Sequence, residues 1–143
     1  MLVDGSTNIE ITGCHYYNNT AAEWAGGMRV DKSTNIEVSG CHYYKNTAVY
    51  GGGMRVYRST NILISDCHYD SNTARWDAGG MMSAGDVTNI TVTSTTGDDN
   101  KPDDIYCWTS NFYFDQQSYD NMTNITEGYQ CVINVLPEDE NEI

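Results

Sequence analysis

One 16-residue stretch is written three times in this chain with small changes. Residues 6–21 read STNIEITGCHYYNNTA, residues 33–48 read STNIEVSGCHYYKNTA, and residues 59–74 read STNILISDCHYDSNTA. The first two agree at 13 of 16 positions and the last two at 11 of 16. Each copy then passes through a variable stretch into Gly26-Gly27-Met28, Gly52-Gly53-Met54 or Gly79-Gly80-Met81. Units that recur every 26 to 28 residues mark a solenoid, in which each unit buries its apolar face only against its neighbours.

Within a unit the apolar residues alternate. Ile9 and Ile11 flank Glu10, Cys14 and Tyr16 flank His15, and Met28 and Val30 flank Arg29. Period two over short runs predicts strands with one buried face, here three per unit, with no room for a helix of ordinary length. A leucine-rich repeat is a poor match, because the leucines are Leu2, Leu63 and Leu136 alone. The pattern predicts an all-β fold, a parallel β-helix with one unit per coil and about four to five coils of 26–28 residues. At ~4.8 Å per coil the axis would run roughly 20–25 Å. Asn8, Asn35, Asn61 and Asn89 are expected at one corner and Asn19, Asn46 and Asn72 at another, because stacked asparagines bond along the axis and tolerate left-handed backbone. The Gly-Gly pairs predict a tight bend, and the segment before them a variable loop.

The expected organisation is repeats over 1–93, with units starting near 6, 33, 59 and 87, then degenerate coils and a C-terminal cap over 94–136, then an acidic tail at 137–143. Residues 1–6 (MLVDGS) align with residues 28–33 (MRVDKS). Met1 therefore sits in the third strand of a coil, which suggests either a longer parent chain or an open end that docks on a neighbour.

Tyr-x-x-Asn, at Tyr16–Asn19, Tyr43–Asn46 and Tyr69–Asn72, combined with Gly-Gly-Met, resembles the paired Phe-x-x-Asn and Gly-Gly-Ala-aliphatic motifs of polymorphic outer-membrane proteins. The resemblance covers roughly residues 1–92 and implies a right-handed parallel β-helix at the cell surface. Here Tyr replaces Phe, and Ala25 and Ala78 stand where a first glycine would be. The repeats also resemble those of extracellular adhesins and of large eukaryotic extracellular proteins.

The net charge of −13 is uneven: residues 1–97 hold nine acidic and six basic residues, and residues 98–143 hold eleven acidic and one basic. Without a basic patch, neither nucleic acid nor an anionic membrane is an expected partner, and no apolar run is long enough to insert in a bilayer. An extracellular or cell-surface location agrees with sequons at Asn18, Asn89, Asn121 and Asn124, which would make the chain a glycoprotein.

Several groups could carry chemistry. Cys14, Cys41 and Cys67 should stack as a buried thiol ladder, while Cys107 and Cys131 are a disulfide candidate that would staple the cap. His15, His42 and His68 form an outward row able to tile the surface or hold a metal. Asp98, Asp99, Asn100, Asp103 and Asp104 make the densest oxygen cluster; it is a candidate calcium site, with a solvated acidic loop as the alternative, and no other cofactor is expected. Tyr17, Trp24, Tyr44, Tyr50, Tyr57 and Trp76 are expected to face outward, where aromatic rings stack on sugars or on a protein face.

Pectate lyases and polygalacturonases share this fold, but their chemistry needs residues that differ between coils, whereas this chain repeats. The expectation is therefore a non-enzymatic extracellular structural module whose partners are copies of itself, joined end to end into a fibre or surface assembly. The alternative is a carbohydrate- or protein-binding adhesin segment, with glycans as partners. A polysaccharide lyase or hydrolase comes last.

Overall fold

The computed structural model describes residues 1–122 and 124–138, and in it the chain winds as a coil of parallel strands. The first coil contributes β1 (Leu2–Asp4), β2 (Thr7–Thr12) and β3 (His15–Tyr17). The second contributes β4 (Met28–Asp31), β5 (Thr34–Ser39), β6 (His42–Tyr44) and β7 (Thr47–Tyr50). The third adds β8 (Met54–Tyr57), β9 (Thr60–Ser65), β10 (His68–Asp70) and β11 (Thr73–Asp77). The fourth has β12 (Met81–Ala84), β13 (Val87–Thr93) and β14 (Thr96–Asp98). Beyond it lie β15 (Ile105–Cys107), β16 (Ser110–Phe114), helix α1 (Gln116–Asn121), β17 (Ile125–Glu127) and β18 (Val132–Val135).

Equivalent strands stack into long sheets. One runs β1-β4-β8-β12-β15-β17, a second β18-β16-β13-β9-β5-β2, and a third β14-β10-β6-β3. The register follows the repeat: Ile9 pairs with Ile36 and Ile36 with Ile62, while His15 pairs with His42 and His42 with His68. A fourth sheet of two strands, β7 and β11, occupies part of the segment expected as a variable loop. Thr20 and Trp24 bridge to it at Thr47 and Tyr50, so the residues between carry part of the length variation; the rest enters at Gly85-Asp86-Val87, which stand where Arg58-Ser59 stand in the coil before.

Alternation puts one row of side chains inside. Met28, Val30, Val38, Cys41, Tyr43, Met54, Val56, Ile64 and Cys67 are fully buried. The inward tyrosines stack, with ring centroids 4.8 Å apart for Tyr16 and Tyr43 and 4.6 Å for Tyr43 and Tyr69. A buried phenol needs a partner, and the methionine of the same coil supplies it. Tyr43 Oη donates to Met28 Sδ at 3.3 Å and Tyr69 Oη to Met54 Sδ at 3.2 Å. This explains why Tyr and Met recur together where an all-apolar pair would also fill the space. Replacing Met54 by Leu removes the acceptor and should cost about 1–2 kcal/mol. Adding Tyr69→Phe should recover part of that loss, giving a coupling of about 1 kcal/mol in a denaturation double-mutant cycle. Additive losses would contradict the pairing.

Two asparagine ladders hold the coils together. In the inner one, Asn19 Nδ2 donates to Asn46 Oδ1 at 3.0 Å, Asn46 to Asn72 at 3.0 Å, and Asn72 to Asn100 at 2.9 Å. The outer ladder joins Asn35 to Asn8, Asn61 to Asn35 and Asn89 to Asn61 at 3.0 to 3.1 Å. Those four residues have φ between 56° and 58°. They lie inside the strands of the second sheet rather than at its corner, and the left-handed backbone makes a bend that Asn accepts at low cost.

The cap differs from the coils. Helix α1 packs against β13, β14 and β16, at the end of the third sheet. Asp115 starts it by accepting from Ser118 N at 2.8 Å, and it also accepts from Ser94 N at 2.9 Å, the usual N-cap device. Cys107 and Cys131 form a disulfide with Cα atoms 5.7 Å apart, tying β15 to the start of β18. Of the acidic tail, residues 139–143 lie outside the described residues.

Candidate functional site

The third sheet shows two outward rows, because residues at alternate positions of each short strand leave the coil on the same side. His15, His42, His68 and Thr96 share one register position, and Tyr17, Tyr44, Asp70 and Asp98 share the other. The His15–His42 and His42–His68 ring centroids lie 5.0 and 4.7 Å apart, and Tyr17 stacks on Tyr44 at 5.2 Å. Burial, and then the neighbouring His68 and His15, hold the His42 imidazole below its ordinary range. The copied pattern breaks at the third coil, where a carboxylate follows two phenols. There the rows enclose an open groove of about 370 Å³, with His42, His68 and Thr96 on one wall and Tyr44, Asp70 and Asp98 on the other. The walls are partly fixed: Ser71 Oγ donates to Asp70 Oδ1 at 2.7 Å, and His68 Nδ1 is hydrogen-bonded to Thr96 Oγ1. Lys45 Nζ lies 4.8 Å from the Tyr44 ring centroid.

The remaining predicted aromatics gather elsewhere. Trp24 stacks on Tyr50 at 4.7 Å, and the Arg55 guanidinium lies 4.0 Å from the Trp24 ring and 4.4 Å from that of Tyr57. Arg55 is buried and lies 3.5 Å from Asp31, which Arg29 also contacts. Trp24, Tyr50 and Tyr57 are thus half-buried parts of a cation–aromatic stack, and Tyr44 is half-buried under its neighbours. Tyr17 and Trp76 remain open, at 58% and 61% exposure.

The proposed calcium ligands are dispersed. Asp98 faces the groove at the end of β14, and Asp99 is exposed at a corner with φ 50°. Asp104 is buried and accepts from Asn100 Nδ2 at 2.8 Å. Among the described residues no three His, Cys, Asp or Glu side chains converge into a group that could hold a metal. Asn100 belongs to the inner asparagine ladder, not to an oxygen cluster. The spacing Gly97-x-x-Asn100 repeats Tyr69-x-x-Asn72 and could have revealed this. Asn18, Asn89, Asn121 and Asn124 are exposed. Asn89 also spends one amide hydrogen on Asn61, and Thr123 of the Asn121 sequon lies outside the described residues.

Cys14, Cys41 and Cys67 are free thiols stacked along the coil, with Cys14 N donating to Cys41 Sγ at 3.4 Å. The ladder continues in hydroxyls: Cys67 N donates to Thr95 Oγ1, and Thr95 N to Ser118 Oγ. Burial pushes Cys41 up and Cys67 up to about 12, so neither is a thiolate nucleophile near neutral pH. A thiol-specific disulfide reagent at pH 8 should leave both unmodified in the native chain and modify all three thiols in denaturant. Rapid native reaction of Cys67 would contradict the ladder.

The family model described as "Right handed beta helix region" matches residues 1–119. Among solved structures, one is similar over 94% of this chain and 78% of its own length, with a TM-score of 0.54 at 12% identity. It is described as the crystal structure of a "putative glycosyl hydrolase" from Parabacteroides merdae ATCC 43184. At that identity the likeness is one of fold. No curated protein matches the sequence.

Proposed function

Since this chain belongs to the right-handed β-helix family, a fold that fixes no chemistry by itself, we propose that it is a non-enzymatic structural module that associates with copies of itself through its first coil. The open face of that coil carries the reading. Gly5, Gly13 and Asn18 N–H groups donate to Asp31, Ser39 and Tyr44 carbonyls of the second coil, and β1, β2 and β3 each end their sheets. Ile9 and Tyr16 are only partly covered, and Leu2 is exposed. Such an edge is a template for another strand layer. A preceding coil of a longer polypeptide would take the same edge, and on the reading proposed here a second copy of the chain takes it. Where that contact is heterologous, it propagates into a fibre.

An extracellular or surface location is part of the proposal, supported by the disulfide and the exposed sequons, since disulfides persist in oxidising compartments. The hydrolase reading draws on the description of the structural neighbour. Asp70 and Asp98 are register partners on one wall of the groove, whereas glycosidases place two carboxylates on either side of the scissile bond. An adhesin reading draws on exposed Trp76 and Tyr17; glycan binding lost in Trp76→Ala or Tyr17→Ala would support it.

Sedimentation velocity over a rising concentration series tests self-association. The expected result is assembly that Ile9→Lys abolishes while circular dichroism stays unchanged. A monomer at every concentration would overturn the proposal.

A further inference from the structure

The groove on the third sheet lies on coils two to four, away from the first-coil edge, and its chemistry is separate from assembly. We propose that it binds a primary-ammonium sugar, with the pyranose ring between the imidazole wall and Tyr44 and the ammonium on Asp70 and Asp98.

Three observations carry the inference. The volume of about 370 Å³ falls among ligand sites, which run from about 300 Å³ upward. The wall is an aromatic platform continued by two carboxylates, since Tyr17 stacks on Tyr44 and Asp70 and Asp98 follow in the same row. Aromatic faces hold sugar rings and cations alike, and paired carboxylates favour an ammonium. The Tyr44 ring also lies beside an ammonium of the chain itself, with Lys45 Nζ 4.8 Å from its centroid. Asp70 is partly oriented for this task, because Ser71 Oγ donates to one of its carboxylate oxygens. On the opposite wall the His42 and His68 imidazoles offer ring nitrogens to hydroxyls.

The break in the repeat supplies the specificity. In the first two coils this position is tyrosine, and in the third and fourth it is aspartate. Reverting Asp70 to Tyr therefore restores a side chain that the neighbouring coil already carries at the same register, and the fold should tolerate it.

The test is NMR titration of the intact chain with glucosamine, N-acetylglucosamine and cadaverine, following His42, His68 and Tyr44 resonances. Glucosamine should bind saturably, and Asp70→Tyr and Asp98→Asn should each weaken it at least tenfold without moving the melting temperature. Glu37→Gln, a carboxylate removed from another sheet, should leave affinity unchanged and so discount general attraction to an acidic chain. N-acetylglucosamine should bind at least tenfold more weakly. Equal binding of N-acetylglucosamine, or glucosamine binding insensitive to Asp70→Tyr, would overturn the ammonium contact. Cadaverine binding as tightly as glucosamine at the same residues would overturn the sugar ring's place in the site.

Discussion

Asn72→Ala should cost about 3–5 kcal/mol, because several buried groups lose their partners at once and each orphan costs about 1–3 kcal/mol. Asn72 is fully buried. Its Nδ2 donates to the Tyr43 carbonyl at 2.8 Å and to Asn100 Oδ1 at 2.9 Å. Its Oδ1 accepts from both Asn46 N and Asn46 Nδ2 at 3.0 Å. Truncation strands the Tyr43 carbonyl and the Asn46 amide inside the coil, and no water replaces them without opening it. Asn61→Ala is the informative contrast. Asn61 is exposed and carries one ladder bond to each neighbour, so its loss should cost about 1 kcal/mol, mainly through the left-handed backbone. Chemical denaturation of the two variants measures the difference. Equal losses would mean that the inner ladder contributes no more than the outer.

Gly79→Ala should be nearly as damaging, at about 3 kcal/mol, with a fall in melting temperature on the order of 10 °C. A β-carbon there would lie 2.2 Å from the Asn72 carbonyl oxygen, 2.4 Å from Lys101 N and 2.6 Å from Lys101 O. All three atoms are backbone held in adjacent coils, so nothing flexible can give way. Gly13→Ala separates this crowding from conformational strain. Gly13 has φ +62° and open space around its β-position, so only the left-handed backbone is penalised, at about 1 kcal/mol. Thermal melts of both variants decide whether close coil approach, rather than turn geometry, demands glycine at the Gly-Gly pair.

The repeat made the coil, the inward rows and the stacked asparagines readable from residues alone, because period-two alternation and an identical register are local properties. The Tyr–Met pairing was not readable: Tyr69 and Met54 belong to strands of different sheets, and no alternation rule joins them. The β7–β11 sheet was hidden in a segment whose length varies, although its first residues, Thr47-Ala48 and Thr73-Ala74, are copied. Helix α1 spans six residues, too few to show a helical period. The acidic loop misled in a different way. Counting oxygen donors in sequence ignored that Asp104 turns inward to Asn100, so residues adjacent in the chain are divided between core and surface. The groove was equally invisible, since it arises from Asp70 and Asp98 meeting across coils 28 residues apart.

Hydrogen exchange read by mass spectrometry, at dilute and at high protein concentration, tests most directly whether the first coil is the association edge. Peptides covering β1 to β3 should exchange more slowly as concentration rises, while those covering β9, β10, β12 and β13, already paired on both sides, stay unchanged. Exchange over the first coil that is identical at every concentration would contradict self-association through that edge.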